Sequence, residues 1–141
     1  MNLDKRYTLE LTEEQAEIIK IALEEYFRLR MGQFSDLSMD LAFIGYDSNN
    51  HTSDELNARN ERRWSVESVF KSALDVAQPM RKHGIYPEQT IEMRRAQDIW
   101  QVIRHRLWKD RHGDKDDWCV DAREPMCMTG ESLPKMERAE E

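Results

Sequence analysis

Apolar residues recur at steps of three and four in four separate stretches of the chain, and that period predicts helices. The first stretch carries Ile18, Ile19, Ala22, Tyr26 and Leu29, with Lys20, Glu24 and Arg28 spaced by four on a solvated side. Thr12-Glu13-Glu14-Gln15 marks its start as a capping box, in which hydroxyl and amide face back onto free backbone amides. Glu13, Glu14 and Glu17 suit the positive end of the helix dipole. Gly32 ends or kinks this helix. Phe34, Leu37, Leu41 and Ile44 form a second, shorter set that closes at Gly45. After the polar loop Asp47-Ser48-Asn49-Asn50, Thr52 or Ser53 caps a third helix. Its expected buried face is Val66, Val69, Phe70, Ala73, Leu74 and Ala77, and Pro79 and Gly84 break it. Pro87 opens the fourth, where Met93, Ala96, Trp100, Ile103 and Leu107 make the stripe, Ile99 and Val102 widen it and Gly113 closes it. The expected helices run from Glu13 to Gly32, Phe34 to Ile44, Ser53 to Ala77 and Pro87 to Arg111.

Two short segments show period two instead. Tyr7, Leu9 and Leu11 alternate with Thr8, Glu10 and Thr12, which predicts a strand with one buried face. A lone strand leaves its backbone groups unpaired, so it needs a partner. The candidates are Trp118 to Asp121, where Trp118 and Val120 alternate with Cys119 and Asp121, or the same strand of a second subunit. The expected fold class is mainly α: a compact bundle of about four helical segments with a short N-terminal β-strand and an irregular C-terminal tail. Residues 1–130 are expected to form one helical domain and 131–141 a flexible tail punctuated by Pro134.

Composition narrows the function classes. The chain has 141 residues, enough for a core without disulfide or metal staples. Charged residues are 35%, yet four Trp, four Tyr and four Phe argue against wholesale disorder. Twenty-one basic against twenty-eight acidic side chains give a net charge of −7, which disfavours general nucleic-acid binding. No apolar run approaches the ~20 residues a membrane span needs, and the first residues do not resemble a signal peptide. Cys119 and Cys127 are the only cysteines, which suits a reducing cytoplasm.

Candidate chemistry concentrates on the fourth helix. Arg104, Trp108 and Arg111 follow at four and three, so they share a face, with Arg94 upstream. An indole flanked by guanidinium groups can stack a base while the arginines hold phosphates. The alternative is an ordinary basic face paired with Glu92, Asp98 and Asp110, with Trp108 packed on the tail. A second cluster, Arg59, Arg62, Arg63 and Trp64, either completes an anion pocket or pairs with Glu55 and Glu61. His105, His112, Cys119 and Cys127 are spaced by seven, seven and eight, unlike a zinc knuckle, so no metal site is assigned. Asp114, Asp116 and Asp117 lack the glycine and glutamate of a calcium loop. No catalytic signature such as Gly-x-Ser-x-Gly, a phosphate-cradling glycine loop or His-Glu-x-x-His is present. No catalytic residue and no cofactor are assigned.

The opening Tyr-Thr-Leu-Glu-Leu-Thr-Glu-Glu-Gln-Ala, the step Met31-Gly32-Gln33-Phe34, the run from Ala96 to Arg104 and Trp118-Cys119-Val120-Asp121 together resemble a group of small proteins encoded by phages and prophages of Gram-positive bacteria. The resemblance carries no functional residues. It implies a viral accessory protein in a bacterial cytoplasm, acting by binding rather than catalysis. The leading expectation is a host-defence antagonist that sequesters a nucleotide immune signal or blocks a defence protein. The alternative is a structural or regulatory phage protein working through helical protein–protein contacts. A homo-oligomer is expected in either case, with Arg94, Arg104, Trp108, Arg111, Arg59 and Arg63 as candidate ligand-binding residues.

Overall fold

The computed structural model describes residues 5–74, 89–115 and 118–139. Four α-helices occur among them: α1 (Glu13–Arg30), α2 (Ser35–Ala42), α3 (Ser53–Ala73) and α4 (Ile91–His112), followed by a 3₁₀ turn at Val120–Ala122. The protein is mainly helical, as the periodicity predicts. Pro79, Gly84 and Pro87, expected to separate α3 from α4, lie outside the described residues, as does Ala77.

Helix boundaries follow local chemistry. Thr12 and Gln15 form the predicted capping box: Thr12 N–H donates to Gln15 Oε1 at 2.9 Å, and Gln15 N–H to Thr12 Oγ1 at 3.2 Å. The far end of α1 closes at Gly32, whose φ of 72° is in the left-handed region. There Gly32 N–H donates to Leu29 O and Gln33 N–H to Arg28 O, a Schellman pair that satisfies two terminal carbonyls. Thr52 caps α3 by accepting from Glu55 N–H at 3.1 Å.

The chain divides into two units, Glu25–Met93 and the combination of Met1–Glu24 with Arg94–Glu141. In the first, α2 lies on α3. The rings of Phe34 and Phe70 are 5.6 Å apart, Arg63 Nη2 donates to Ser35 Oγ at 2.8 Å, and Arg59 Nη1 donates to the carbonyls of Ala42 and Ile44. In the second, Ala16 of α1 meets Ile103 and Leu107 of α4, with Ile19, Leu23 and Met136 packed around them. Arg111 fastens the same two helices by donating to Glu13 and Glu17.

Two expectations are corrected. Residues 7–11 form no strand; the segment is irregular and open, with Tyr7 91% and Leu9 71% exposed. Alternation selects an extended chain, but a ladder needs a second edge, and no strand exists among the described residues to supply one. The segment at 118–121 does not offer that edge. It turns, with Ala122 N–H bonded to Cys119 O and Arg123 N–H to Val120 O, satisfying its amides locally.

The other correction concerns α3. No residue of this helix is fully buried. Phe70 and Val66 are half covered, while Val69 and Leu74 stand in solvent. The contacts with α2 and its flanks run from Arg59 to Phe70, so Leu74 lies beyond them, while Val69 is one residue from Phe70 and points about 100° away from the covered side.

Burial sets the expected cost of truncation. Ile103→Ala should destabilise by ~2–5 kcal/mol. Phe70→Ala should cost about 1–2 kcal/mol, below the range for a fully enclosed phenyl ring. Urea denaturation of both variants checks this; equal losses would contradict the packing described.

Candidate functional site

The predicted basic face of α4 is not a free surface. Trp108 is 8% exposed, and the ring of His112, one turn on, stacks over it at 4.8 Å and 17°. An indole so placed has no open face for a base in this conformation. Arg104 is 6% exposed; its guanidinium carbon sits 4.4 Å over the Trp100 ring. Its Nε is 3.8 Å from Asp121 Oδ1, too far for a hydrogen bond, and has no other partner. Burial lowers the Arg104 pKa, while Asp121 and Glu24 pull it back up. Arg111 is engaged with Glu13 and Glu17, and the hydrogen bonds to those carboxylates raise its pKa. Arg94 is half-buried and its Nε makes no hydrogen bond.

Arg59 and Arg63 belong to the other unit. Arg59 terminates α2 by bonding the carbonyls of Ala42 at 3.1 Å and Ile44 at 2.7 Å, and it pairs with Glu55 at 3.6 Å. A cation at a helix C-terminus satisfies orphan carbonyls and complements the dipole. Arg63 holds Ser35. The structure therefore brings Arg104, Trp108 and Arg111 onto one helix, as their spacing predicts, but Arg111 is bonded to Glu13 and Glu17, and Arg104 and Trp108 are buried and stacked on Trp100 and His112.

A different constellation occupies the polar side of α4. Residues 121–131 run antiparallel along the helix as a strap. Arg95 grips Glu131 through two nitrogens, with Nε 3.0 and 3.1 Å from the carboxylate oxygens. Asp98, only 4% exposed, accepts from Met128 N–H and from the Thr129 hydroxyl, both at 2.7 Å. Gln101 exchanges two hydrogen bonds with the backbone of Met126, at 2.9 and 3.0 Å. Further along, Glu124 reaches His105 at 3.4 Å and Lys109 at 3.5 Å. Thr129 also accepts from Glu131 N–H, and the Cys127 thiol donates to Glu131 O, so the strap is folded on itself before it docks.

Sequence reading allows for a tail packed against the fourth helix beside Trp108, but it missed the polar contacts that dock the strap. Asp98, Gln101 and His105 do share a face at three and four, but polar residues at that spacing look like solvated helix. The signal was the combination with Thr129-Gly130-Glu131, whose turn chemistry can aim amide and hydroxyl at one carboxylate. Neither half is informative alone. No three His, Cys, Asp or Glu side chains gather as a metal site would require among the described residues. No helix among them is long and apolar enough to cross a membrane. No protein-family model, curated protein or solved structure matches the chain.

The strap should respond to acid and to mutation. The hydrogen bonds from Arg95 hold the Glu131 carboxyl below the usual range. Its folded pKa is thus under its unfolded one, so the stabilisation is full above the ordinary Glu value of ~4.3 and disappears as pH falls through the depressed value. Protection of the Met128 and Glu131 amides, measured against the exchange rate of an unstructured peptide at the same pH, should fall below about pH 4 and hold at pH 6. Asp98→Ala should cost ~1–3 kcal/mol by stranding the Met128 amide and the Thr129 hydroxyl, and should expose the strap to protease. An Asp98→Ala chain with unaltered proteolysis would contradict the docking.

Proposed function

We propose that this protein is a non-catalytic accessory protein of phage type that acts by binding a host defence protein, with α3 as the contact helix. The observation that carries the reading is the side of α3 that α2 leaves open. Trp64 is 61% exposed there, in a row of residues that nothing in its own unit covers. Tryptophan on a rigid helix is the commonest kind of binding hot spot, because it brings large apolar area with little rotamer entropy to lose. A shallow, open groove of about 320 Å³ lies beside it, lined by Trp64, Glu67, Ser68 and Lys71. Its walls mix polar and apolar surface, and it lacks the enclosure of a small-molecule site. It is better suited to the rim of a protein contact.

The partner this face fits is a protein with an apolar pocket for the indole and a mixed-charge rim. Among the described residues Glu61 and Arg62, in the turn before Trp64, have no hydrogen-bond or ion-pair partner, and they meet either sign. The nucleotide-sequestering version of defence antagonism is less well supported, since Trp108 is covered and Arg104, Arg111, Arg59 and Arg63 are held by internal groups. The resemblance to phage-encoded proteins motivates the choice of a bacterial host as the source of the partner.

A photoreactive amino acid at position 64, expressed in bacteria, tests the reading. One discrete adduct should form at position 64 and not at position 57 of the same helix. Trp64→Ala should abolish biological activity while leaving thermal stability within about 0.5 kcal/mol, as for an exposed site. Activity that survives Trp64→Ala, or calorimetric nucleotide binding that Arg104→Ala removes, would overturn it in favour of the nucleotide reading.

A further inference from the structure

The N-terminal arm carries an inference independent of α3. Residues 5–11 make no hydrogen bond to any described residue, so no described residue uses their backbone donors and acceptors. Tyr7, Leu9 and Leu11 nevertheless alternate with polar neighbours, and Tyr7 and Leu9 are among the most exposed apolar residues of the chain. The arm does not hang from a frayed end. The Thr12–Gln15 capping box fixes the point where it leaves α1. An exposed extended segment with one apolar face is a template for strand addition and an aggregation hazard unless something pairs with it.

The arm's own sequence identifies what pairs with it. Place two copies antiparallel with Thr8 opposite Thr8 across a two-fold axis. Arg6 then faces Glu10 of the second copy, and Glu10 faces its Arg6. On the other side of the ribbon Tyr7 faces Leu9, Leu9 faces Tyr7, and the alkyl stem of Lys5 covers Leu11. Directly opposite residues share a face in an antiparallel pair, so each polar residue meets an opposite charge or a hydroxyl and each apolar one meets apolar surface. Other arrangements lose this. Parallel pairing sets Arg6 on Arg6 and Glu10 on Glu10. Shifting the axis to Leu9 sets Glu10 against Thr8 and leaves Arg6 against Thr12.

We infer that the arm at 5–11 is a self-recognition element that joins two copies of this chain through an antiparallel two-stranded ribbon centred on Thr8. A ribbon this short is not stable alone, so further apolar burial must accompany it. Ile18, Ile21 and Ala22, exposed on the first turns of α1 just beyond the arm, supply it. The same alternation that yields no strand in one chain yields one in two, because the missing edge comes from the second copy.

Charge reversal tests the register. Sedimentation velocity and native mass spectrometry of the full chain at micromolar concentration should show a dimer. Arg6→Glu alone, or Glu10→Arg alone, should weaken it at least tenfold, and the two together should restore it. Leu9→Pro, which removes a ladder amide from an arm with no role in the fold of one chain, should give a monomer with unchanged circular dichroism. Thr8→Cys should cross-link two chains under oxidised glutathione beyond the level of the unsubstituted protein, whereas Glu10→Cys should not. A monomeric parent protein, a dimer indifferent to single reversals, or a double reversal that fails to restore it would each overturn the inference. None of these outcomes depends on Trp64, so failure here and failure of the α3 reading are separately visible.

Discussion

The polar side of α4 depends on one buried carboxylate. Asp98 is almost wholly removed from water, and an uncompensated charge there would cost several kcal/mol. Its compensation comes from residues thirty positions later, the amide of Met128 and the hydroxyl of Thr129. Hydrogen bonds to a charged acceptor contribute ~1.5–3 kcal/mol each, so this acceptor fixes where the strap must lie. Once it does, Gln101 meets the Met126 backbone, Arg95 meets Glu131, and Met136 reaches the cluster of Ala16, Ile103 and Leu107. Loss of the Asp98 contacts would leave the segment to the more exposed contacts of Arg95, Gln101 and Glu124 and to the packing of Met136.

The same economy governs the arginines. A guanidinium that satisfies a helix end or bridges two helices is no longer a ligand donor. Arg59 replaces the next helical amides for the carbonyls of Ala42 and Ile44 and so lets α2 stop after 8 residues. Arg111 spans two glutamates at the start of α1, where the dipole already favours negative charge. Exposed pairs of this kind add little stability, but they consume the positive charge that gave α4 the look of an anion site. Among the groups left uncommitted in the described residues are the indole of Trp64, the Glu61 and Arg62 beside it, and the apolar side of the arm. Those groups suit protein surfaces better than phosphates.

Several features were determined by sequence alone, because each depends on residues a turn apart. The helices at Glu13, Ser53 and Ile91 follow from their apolar period, the capping box from Thr12 and Gln15, and the end of α1 from a glycine able to take a positive φ at position 32. The alignment of Arg104, Trp108 and Arg111 on one side of α4 follows from spacing. Tertiary structure decided everything that depends on what lies opposite. Period two at 7–11 specifies an extended chain with two unlike faces, but whether it becomes a strand rests on an edge elsewhere. Periodicity likewise puts Val69 and Leu74 on a buried face, yet α2 covers only the side that holds Val66 and Phe70, and both stand in water. Asp98 and Arg104 read as surface charges because nothing within a few residues shows that a strap from the far end of the chain closes over them. Local periodicity encodes conformation, whereas burial and ion pairing are set by contacts between residues distant in sequence, and those exist only once the chain has folded.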